Sequence, residues 1–215
     1  AAVGFLAQLA ETPDVTSAPF NFPDRYQVAM DLVRKGVRAF TTSSVGRLFD
    51  TAAALLGFTR ETTFEGQAAM WLEQVAACVQ RVEPYPFPFQ DGELDFRPLL
   101  INLVQDRSRS RDPRECARAF QTGIAHGLFD AATALCREND LDTIVLSGGV
   151  FQNDLLLRDL KVLVDSSPFR VWTNRSVPAN DGGISLGQAA LASFGQFDMT
   201  HSANAKEAAT FQHHA

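Results

Sequence analysis

The chain has 215 residues, of which 46% are hydrophobic and 20% are charged, and it carries a formal net charge of −6. This composition is typical of a globular protein with a sizeable core, and the acidic balance without a basic cluster argues against a nucleic-acid partner. No apolar run in the sequence reaches the length needed to span a membrane, so no membrane partner is predicted.

The first half of the chain is predicted to be helical. Residues 24–36 have apolar side chains at helical spacing and end in a glycine. Next, Ser43 or Ser44 is a natural N-cap for a helix whose apolar stripe stops before Gly57. A third helix is predicted within residues 65–82, where Ala, Met, Trp and Leu recur at helical spacing.

The middle of the chain is predicted to contain a hairpin and a long helix. Residues 84–106 alternate aromatic and polar side chains around Asp91-Gly92, a pair that favours a tight turn between strands. Residues 112–139 then form one long helix, with Pro113 in its first turn, where the missing N–H of proline costs nothing.

The last part of the chain alternates strands and helices. A buried strand and loop are predicted for residues 142–149, a helix for 153–166, a short strand for 169–174 and a final helix for 181–195. This order of elements is typical of an α/β layered architecture.

The three cysteines, Cys78, Cys116 and Cys136, show no metal-ligand spacing. Each lies in an Ala/Leu-rich helical pattern, so each is predicted to be a buried free thiol. An odd, unpaired set of cysteines favours a reducing compartment, most simply the cytoplasm.

Three glycine-containing loops stand out, at residues 44–50, 147–154 and 180–183. Two of them precede helices and one lies at a helix start. A helix N-terminus carries unsatisfied N–H groups that favour an anion, and glycine lets a ligand approach the backbone. A double glycine after a strand is more often a plain turn, but three such loops in one chain favour a ligand site.

Four motifs, "TSSVGRLFDTAAALLG", "FEGQAAMWLE", "LSGGVFQNDLL" and "VPANDGGISLGQAAL", resemble the C-terminal, TsaD-like part of the HypF carbamoyltransferases of [NiFe]-hydrogenase maturation. The resemblance implies an actin-like/sugar-kinase/heat-shock (ribonuclease H-like) lobe with a helical and hairpin insertion, here over residues 25–197. Residues 1–24, which begin without Met, are then a linker or the remnant of a preceding lobe. Residues 198–215 are expected to be a loose tail, and we expect the chain to be part of a longer protein.

The resemblance also implies a site and a reaction. Such enzymes make carbamoyl-adenylate from carbamoyl phosphate and ATP in upstream domains, and transfer the carbamoyl group to the C-terminal cysteine of the partner HypE. The residues that the resemblance places at the nucleotide are Gly46, Arg47, Asp50, Gly66, Gly148, Gly149 and Asn153. Of these, Asp50 would accept from ribose hydroxyls, and Asn153 would hydrogen-bond the adenylate beside Gly148 and Gly149. Arg47 is equally compatible with a phosphate contact and with a solvated helix charge.

The resemblance further implies a divalent metal, iron or zinc, with Asp181 as one ligand. On spacing alone, Asp181 is also compatible with a helix N-cap. The family's metal site needs a histidine pair of the HxxxH type, and the chain has only His126, His201, His213 and His214, without that spacing. Gln121 stands where HypF proteins commonly have His.

These observations leave several functions open. In the enzyme hypothesis the nucleophile comes from the partner, so no catalytic residue is assigned and the three cysteines are dispensable. The alternatives are a nucleotide-binding or docking module without activity, a related O-carbamoyltransferase, or a sugar kinase, against which the "EGQAA" block argues. Outside the glycine loops, Glu73 is expected on the surface and His126 is expected to be packed or capped.

Overall fold

A computed structural model of the chain describes residues 1–37, 39–58 and 61–194 and shows a mixed α/β architecture. Its helices are α1 Ala2–Leu6, α2 Arg25–Arg34, α3 Val45–Leu55, α4 Gln67–Ala77, α5 Phe96–Ser108, α6 Pro113–Glu138, α7 Asp154–Asp165 and α8 Ile184–Ser193. Its strands are β1 Phe89–Gln90, β2 Glu93–Leu94, β3 Thr143–Leu146 and β4 Arg170–Thr173, and 3₁₀ turns occur at Gly149–Gln152 and Asp181–Gly183.

The long helix α6 is the centre of the packing. It begins as predicted, with Pro113 in its first turn and the Asp112 side chain accepting from the backbone N–H of Arg114 at 2.8 Å. Helices α3, α4, α5 and α7 all contact it. Phe120 of α6 is fully buried and meets Phe49 of α3 edge-on, with ring centroids 5.4 Å apart. These four helices are therefore positioned by one central helix.

A network of polar side chains joins the segment before β1 to the C-terminal end of helix α5. The Tyr85 hydroxyl donates to Asp106 at 2.8 Å, and Arg111 pairs with the same carboxylate at 2.6 Å. Burial raises the pKa of Tyr85 well above its ordinary value. Burial also raises the pKa of Asp106, but the hydrogen bonds from Arg111 and Tyr85 outweigh it and the pKa of this carboxyl is lowered. The network therefore holds Asp106 ionised where α5 ends.

The predicted hairpin is confirmed only at its turn. β1 and β2 pair antiparallel around Asp91-Gly92, but each strand has two residues. The prediction of extended structure up to residue 106 was wrong, because helix α5 begins at Phe96. The Asp95 side chain caps this helix by accepting from the backbone N–H of Arg97 at 2.9 Å. An Asp N-cap is the local signal that separates strand from helix here.

β3 and β4 form a two-stranded parallel sheet with Ile144 opposite Val171 and Val145 opposite Trp172. One face packs on the core, so Ile144 is buried. On the other face Val145 is 64% and Trp172 61% exposed. The prediction of a buried strand is therefore correct for one face only.

Residues 1–24 share the core of the rest of the described chain. Leu6 of α1 is fully buried, and Val15 and Phe20 are nearly so. The sequence pattern of an irregular entry did not predict α1. The domain boundaries at residues 24 and 197 stay predictions, and the expected tail over 198–215 lies outside the described residues.

The cysteines are free, as predicted, but they differ in burial. Cys116 and Cys136 are buried, whereas Cys78 is exposed at the C-terminal end of α4, so the prediction of a buried thiol was wrong there. Burial raises the pKa of the Cys116 thiol. Among residues 1–37, 39–58 and 61–194, no helix is both long enough and apolar enough to cross a membrane.

Candidate functional site

The loops that follow β3 and β4 meet at one edge of the sheet. The backbone N–H of Gly148 donates to the carbonyl oxygen of Ala179 at 2.7 Å. A Cβ added to Gly149 would lie 3.9 Å from the Cβ of Asn180. Because β3 and β4 are parallel, both loops leave the carboxyl edge of the sheet, where open α/β sheets bind ligands. Two of the three glycine-containing loops are therefore neighbours.

Gly148 has a backbone conformation that only glycine adopts without strain. Its φ is 111° and its ψ is 157°, in a region that residues with a Cβ avoid. Apart from its chain neighbours, no atom of residues 1–37, 39–58 and 61–194 lies within 4 Å of a Cβ built at this position. The glycine is thus required by a strand-to-helix turn, and the same turn leaves open space beside the backbone. The double glycine is therefore compatible both with a turn and with a ligand site.

Asn153 is the N-cap of α7. Its Oδ1 accepts from the backbone N–H of Leu156 at 2.8 Å, and the residue is only 9% exposed. Its Nδ2 is buried and has no hydrogen-bond partner within the described part of the chain. An unpaired buried donor is costly, so Nδ2 is the atom of Asn153 that remains for a ligand.

Glu73 also contacts the start of α7, and the prediction that it is a surface residue was wrong. Its Oε1 accepts from the backbone N–H of Leu155 at 3.1 Å, across 82 residues of sequence, and the residue is half-buried. The sequence did hold a signal: Glu73 follows the fully buried Leu72 and lies three residues before Ala76, on the inner stripe of α4. A carboxylate beside an apolar stripe needs a buried donor.

Asp50 and Arg47 form an ion pair on α3. Arg47 Nη1 lies 3.2 Å from Asp50 Oδ2, and the side chains are 59% and 29% exposed, respectively. Helix α3 contacts the 3₁₀ turn Gly149–Gln152, so it adjoins the glycine loop after β3. Gly46 lies in the first turn of α3. Ser44 occupies the N-cap position, as predicted, but its side chain makes no capping hydrogen bond.

The remaining predicted site residues lie at the starts of other helical segments. Asp181 is exposed in a 3₁₀ turn, and the side chain that caps this turn is Asn180, which accepts from the N–H of Gly182 at 3.0 Å. The N-cap interpretation of Asp181 was therefore wrong. Gly66 is the N-cap residue of α4 and has a φ of 81°, and it lies roughly 10 Å along the helix axis from Glu73.

The described residues do not form a metal site by themselves. No group of three or more His, Cys, Asp or Glu side chains converges in residues 1–37, 39–58 and 61–194. His126 is exposed rather than packed, and the other three histidines, His201, His213 and His214, lie outside the described residues. Gln121 is fully buried, and neither of its amide atoms has a partner among the residues described. Asp181 alone does not satisfy a divalent ion.

Sequence comparison decides the family. The family model described as "Carbamoyltransferase, Kae1-like Domain, second subdomain" matches residues 1–188. The chain belongs to the HypF carbamoyltransferase family. It is 36% identical over 167 residues to "Carbamoyltransferase HypF" of Rhodobacter capsulatus, a match that covers 77% of this chain and 21% of the relative. It is 38% identical over 152 residues to the protein of the same name from Rhizobium leguminosarum bv. viciae, covering 70% of this chain and 20% of the relative.

Solved HypF structures match the fold. The crystal structure of full-length HypF in the phosphate- and nucleotide-bound form aligns with a TM-score of 0.73 and 34% identity, over 80% of this chain and 23% of that one. T. kodakarensis HypF aligns with a TM-score of 0.72 and 25% identity, over 78% of this chain and 22% of that one. The chain therefore spans about a fifth of the length of each of these four HypF proteins.

Proposed function

We propose that this chain supplies the nucleotide-facing half of a carbamoyltransferase site in hydrogenase maturation, within a ribonuclease H-like lobe of the actin-like superfamily. The observation that carries the proposal is the hydrogen bond from Gly148 to Ala179, which joins two glycine loops at the carboxyl edge of β3 and β4. Membership of the HypF family supports it. One similar HypF structure is described as phosphate- and nucleotide-bound.

The ligand in this proposal is carbamoyl-adenylate, made elsewhere from carbamoyl phosphate and ATP. The adenylate lies against the open backbone of Gly148 and Gly149, and the buried Nδ2 of Asn153 donates to it. Asp50 accepts from the two ribose hydroxyls, since a carboxylate suits neighbouring O–H donors. Gly46 and Gly66 give close approach at the starts of α3 and α4, and Arg47 turns from Asp50 to the phosphate.

The reaction in this proposal is acyl transfer to a thiol of a HypE-like acceptor. The acceptor's C-terminal cysteine thiolate attacks the carbamoyl carbon and forms a C–S bond. The bond between that carbon and the phosphate oxygen then breaks, and AMP leaves. The chain's own cysteines have no part in this step, because Cys116 and Cys136 are buried and Cys78 lies at the far end of α4 from Gly66. Unpaired thiols suit a cytoplasmic location.

Nucleotide binding is the first test. In a calorimetric titration of the chain with AMP, Asp50→Ala is expected to weaken binding by about 1.5–3 kcal/mol, because a charge-assisted hydrogen bond to the ribose is lost. That change corresponds to roughly a 10- to 150-fold higher Kd. Asp31→Ala, at an exposed carboxylate of α2, is the matched control and should bind AMP as the wild type does. Equal AMP affinity in the Asp50 variant and the wild type would remove Asp50 from the site.

Asp181 is proposed as one ligand of an iron or zinc ion whose other ligands, a histidine pair, lie outside the described residues. With the remaining parts of a HypF enzyme present, Asp181→Ala is expected to abolish bound metal, measured by elemental analysis, and to stop carbamoyl transfer while adenylate formation continues. Asp181→Asn keeps the shape of the side chain but loses its charge. Its metal content should therefore lie between those of the wild type and Asp181→Ala. Full metal content in Asp181→Ala would exclude this residue as a ligand.

A nucleotide-binding or docking module without its own activity is the second candidate. It is favoured by the observation that no group of three or more His, Cys, Asp or Glu side chains converges within the described residues. The titration with AMP and a transfer assay together distinguish the candidates. Binding without transfer, even with acceptor and carbamoyl-adenylate present, would favour the module.

A further inference from the structure

One side-chain contact joins helix α4 to the first turn of α7. It is the hydrogen bond from the Leu155 N–H to Glu73 Oε1. The next donor, the Leu156 N–H, is taken by Asn153 Oδ1, and the Leu157 N–H is taken by the Asn153 carbonyl oxygen at 3.0 Å. The N–H groups of Leu155, Leu156 and Leu157, in the first turn of α7, are therefore satisfied inside the chain. A carboxylate from another helix occupies the place where the helix dipole favours an anion.

This contact bears on the loop that precedes α7. Residues 147–153 run from the end of β3 through Gly148 and the 3₁₀ turn to the N-cap Asn153. At one end the loop is held by the hydrogen bond from Gly148 to Ala179. At the other end it is held by the α7 start, which Glu73 ties to α4. Helices α4 and α7 also both pack on α6. The Glu73 carboxylate therefore connects α7 to α4 at the end of the loop, beside their shared contact with α6.

We propose that Glu73 is a positioning residue, which sets the 147–153 loop for the ligand by holding the first turn of α7. This inference rests on the proposed function and deepens it. Without the Glu73 carboxylate, the Leu155 N–H loses its acceptor and the α7 start can shift against α4. Asn153 moves with that turn, so its free Nδ2 no longer lies in one place. A second consequence is that the negative charge of Glu73 keeps a ligand phosphate away from the α7 start.

The test compares Glu73→Ala, Glu73→Gln and the wild-type chain. Alanine removes the acceptor, whereas glutamine keeps an Oε1 that can accept from Leu155 and loses only the charge. In Glu73→Ala, amide exchange over the first turn of α7 is expected to accelerate about tenfold, and the Kd for AMP to rise about tenfold. Glu73→Gln should restore both quantities to within about threefold of the wild type. Gln74→Ala, at the exposed neighbour on α4, is the control and should change neither.

The outcomes separate this inference from the proposed function. Unchanged amide exchange at Leu155 in Glu73→Ala would overturn the contact itself. Faster exchange with an unchanged Kd for AMP would show that Glu73 supports α7 without setting the ligand site, and would overturn the positioning role. If the wild-type chain binds no AMP, the proposed function fails and the ligand role of Glu73 fails with it, while the exchange measurement still reports on the contact between α4 and α7.

Discussion

Replacing Gly127 with alanine is expected to destabilise the fold by about 2–3 kcal/mol, the usual cost of overpacking a core. A Cβ at this position would lie 2.5 Å from both Cδ1 and the carbonyl oxygen of Phe87. One turn earlier on α6, a Cβ on Gly123 would lie 2.4 Å from the carbonyl oxygen of Tyr85. Because backbone atoms cannot move aside as a flexible side chain can, the whole 85–87 segment would have to shift. Urea unfolding followed by circular dichroism measures the loss.

The control for this prediction is a glycine in a helix with free space around it. Gly187 of α8 has no atom of the described part of the chain within 4 Å of an added Cβ. At such a position Gly→Ala stabilises a helix by about 0.5–1 kcal/mol, because alanine loses less backbone entropy on folding. Gly187→Ala is therefore expected to leave the unfolding midpoint unchanged or slightly raised. If Gly127→Ala proved as stable as Gly187→Ala, the close approach of α6 to residues 85–87 would be wrong.

Among the charged residues, the largest loss of stability is expected when Asp159 is replaced. Two hydrogen bonds join the Arg118 guanidinium of α6 to the Asp159 carboxylate of α7, one of them 2.8 Å long between Nη2 and Oδ1. The side chains are only 10% and 18% exposed, and Arg118 Nε is buried without a partner within the described residues. Asp159→Ala leaves this guanidinium buried and unpaired, which typically costs about 3–5 kcal/mol. The free energy of unfolding from urea denaturation measures it.

Two further variants test this explanation. Replacing both partners, Arg118→Met with Asp159→Leu, should recover most of the lost stability, because apolar side chains of similar volume often replace a buried ion pair without loss. The exposed pair of Asp142 with Arg170 is the matched control, with side chains 67% and 64% exposed. Asp142→Ala should change stability little, because water screens this pair. If Asp159→Ala behaved like Asp142→Ala, the α6–α7 pair would not contribute to the fold.

Local sequence signals predicted the bounds of several elements correctly and were misleading for one. Pro113 marked the start of α6, and Gly57 marked the end of α3, because capping and backbone preferences act within a few residues. The aromatic alternation before Asp91-Gly92 suggested strands that extend too far. There the Asp95 cap, a weaker signal within the same stretch, determined the start of α5.

The sequence by itself determined the order of the main elements, the three glycine loops and the family, since each of these is carried by short stretches of residues. Only the tertiary structure decided which loops meet. The hydrogen bonds from Gly148 to Ala179 and from Leu155 to Glu73 link residues far apart in sequence. Such pairs depend on how α4 and α7 pack on α6 and on the pairing of β3 with β4. For this reason the sequence pattern predicted Glu73 to be a surface residue, whereas in the fold it is half-buried and contacts the start of α7.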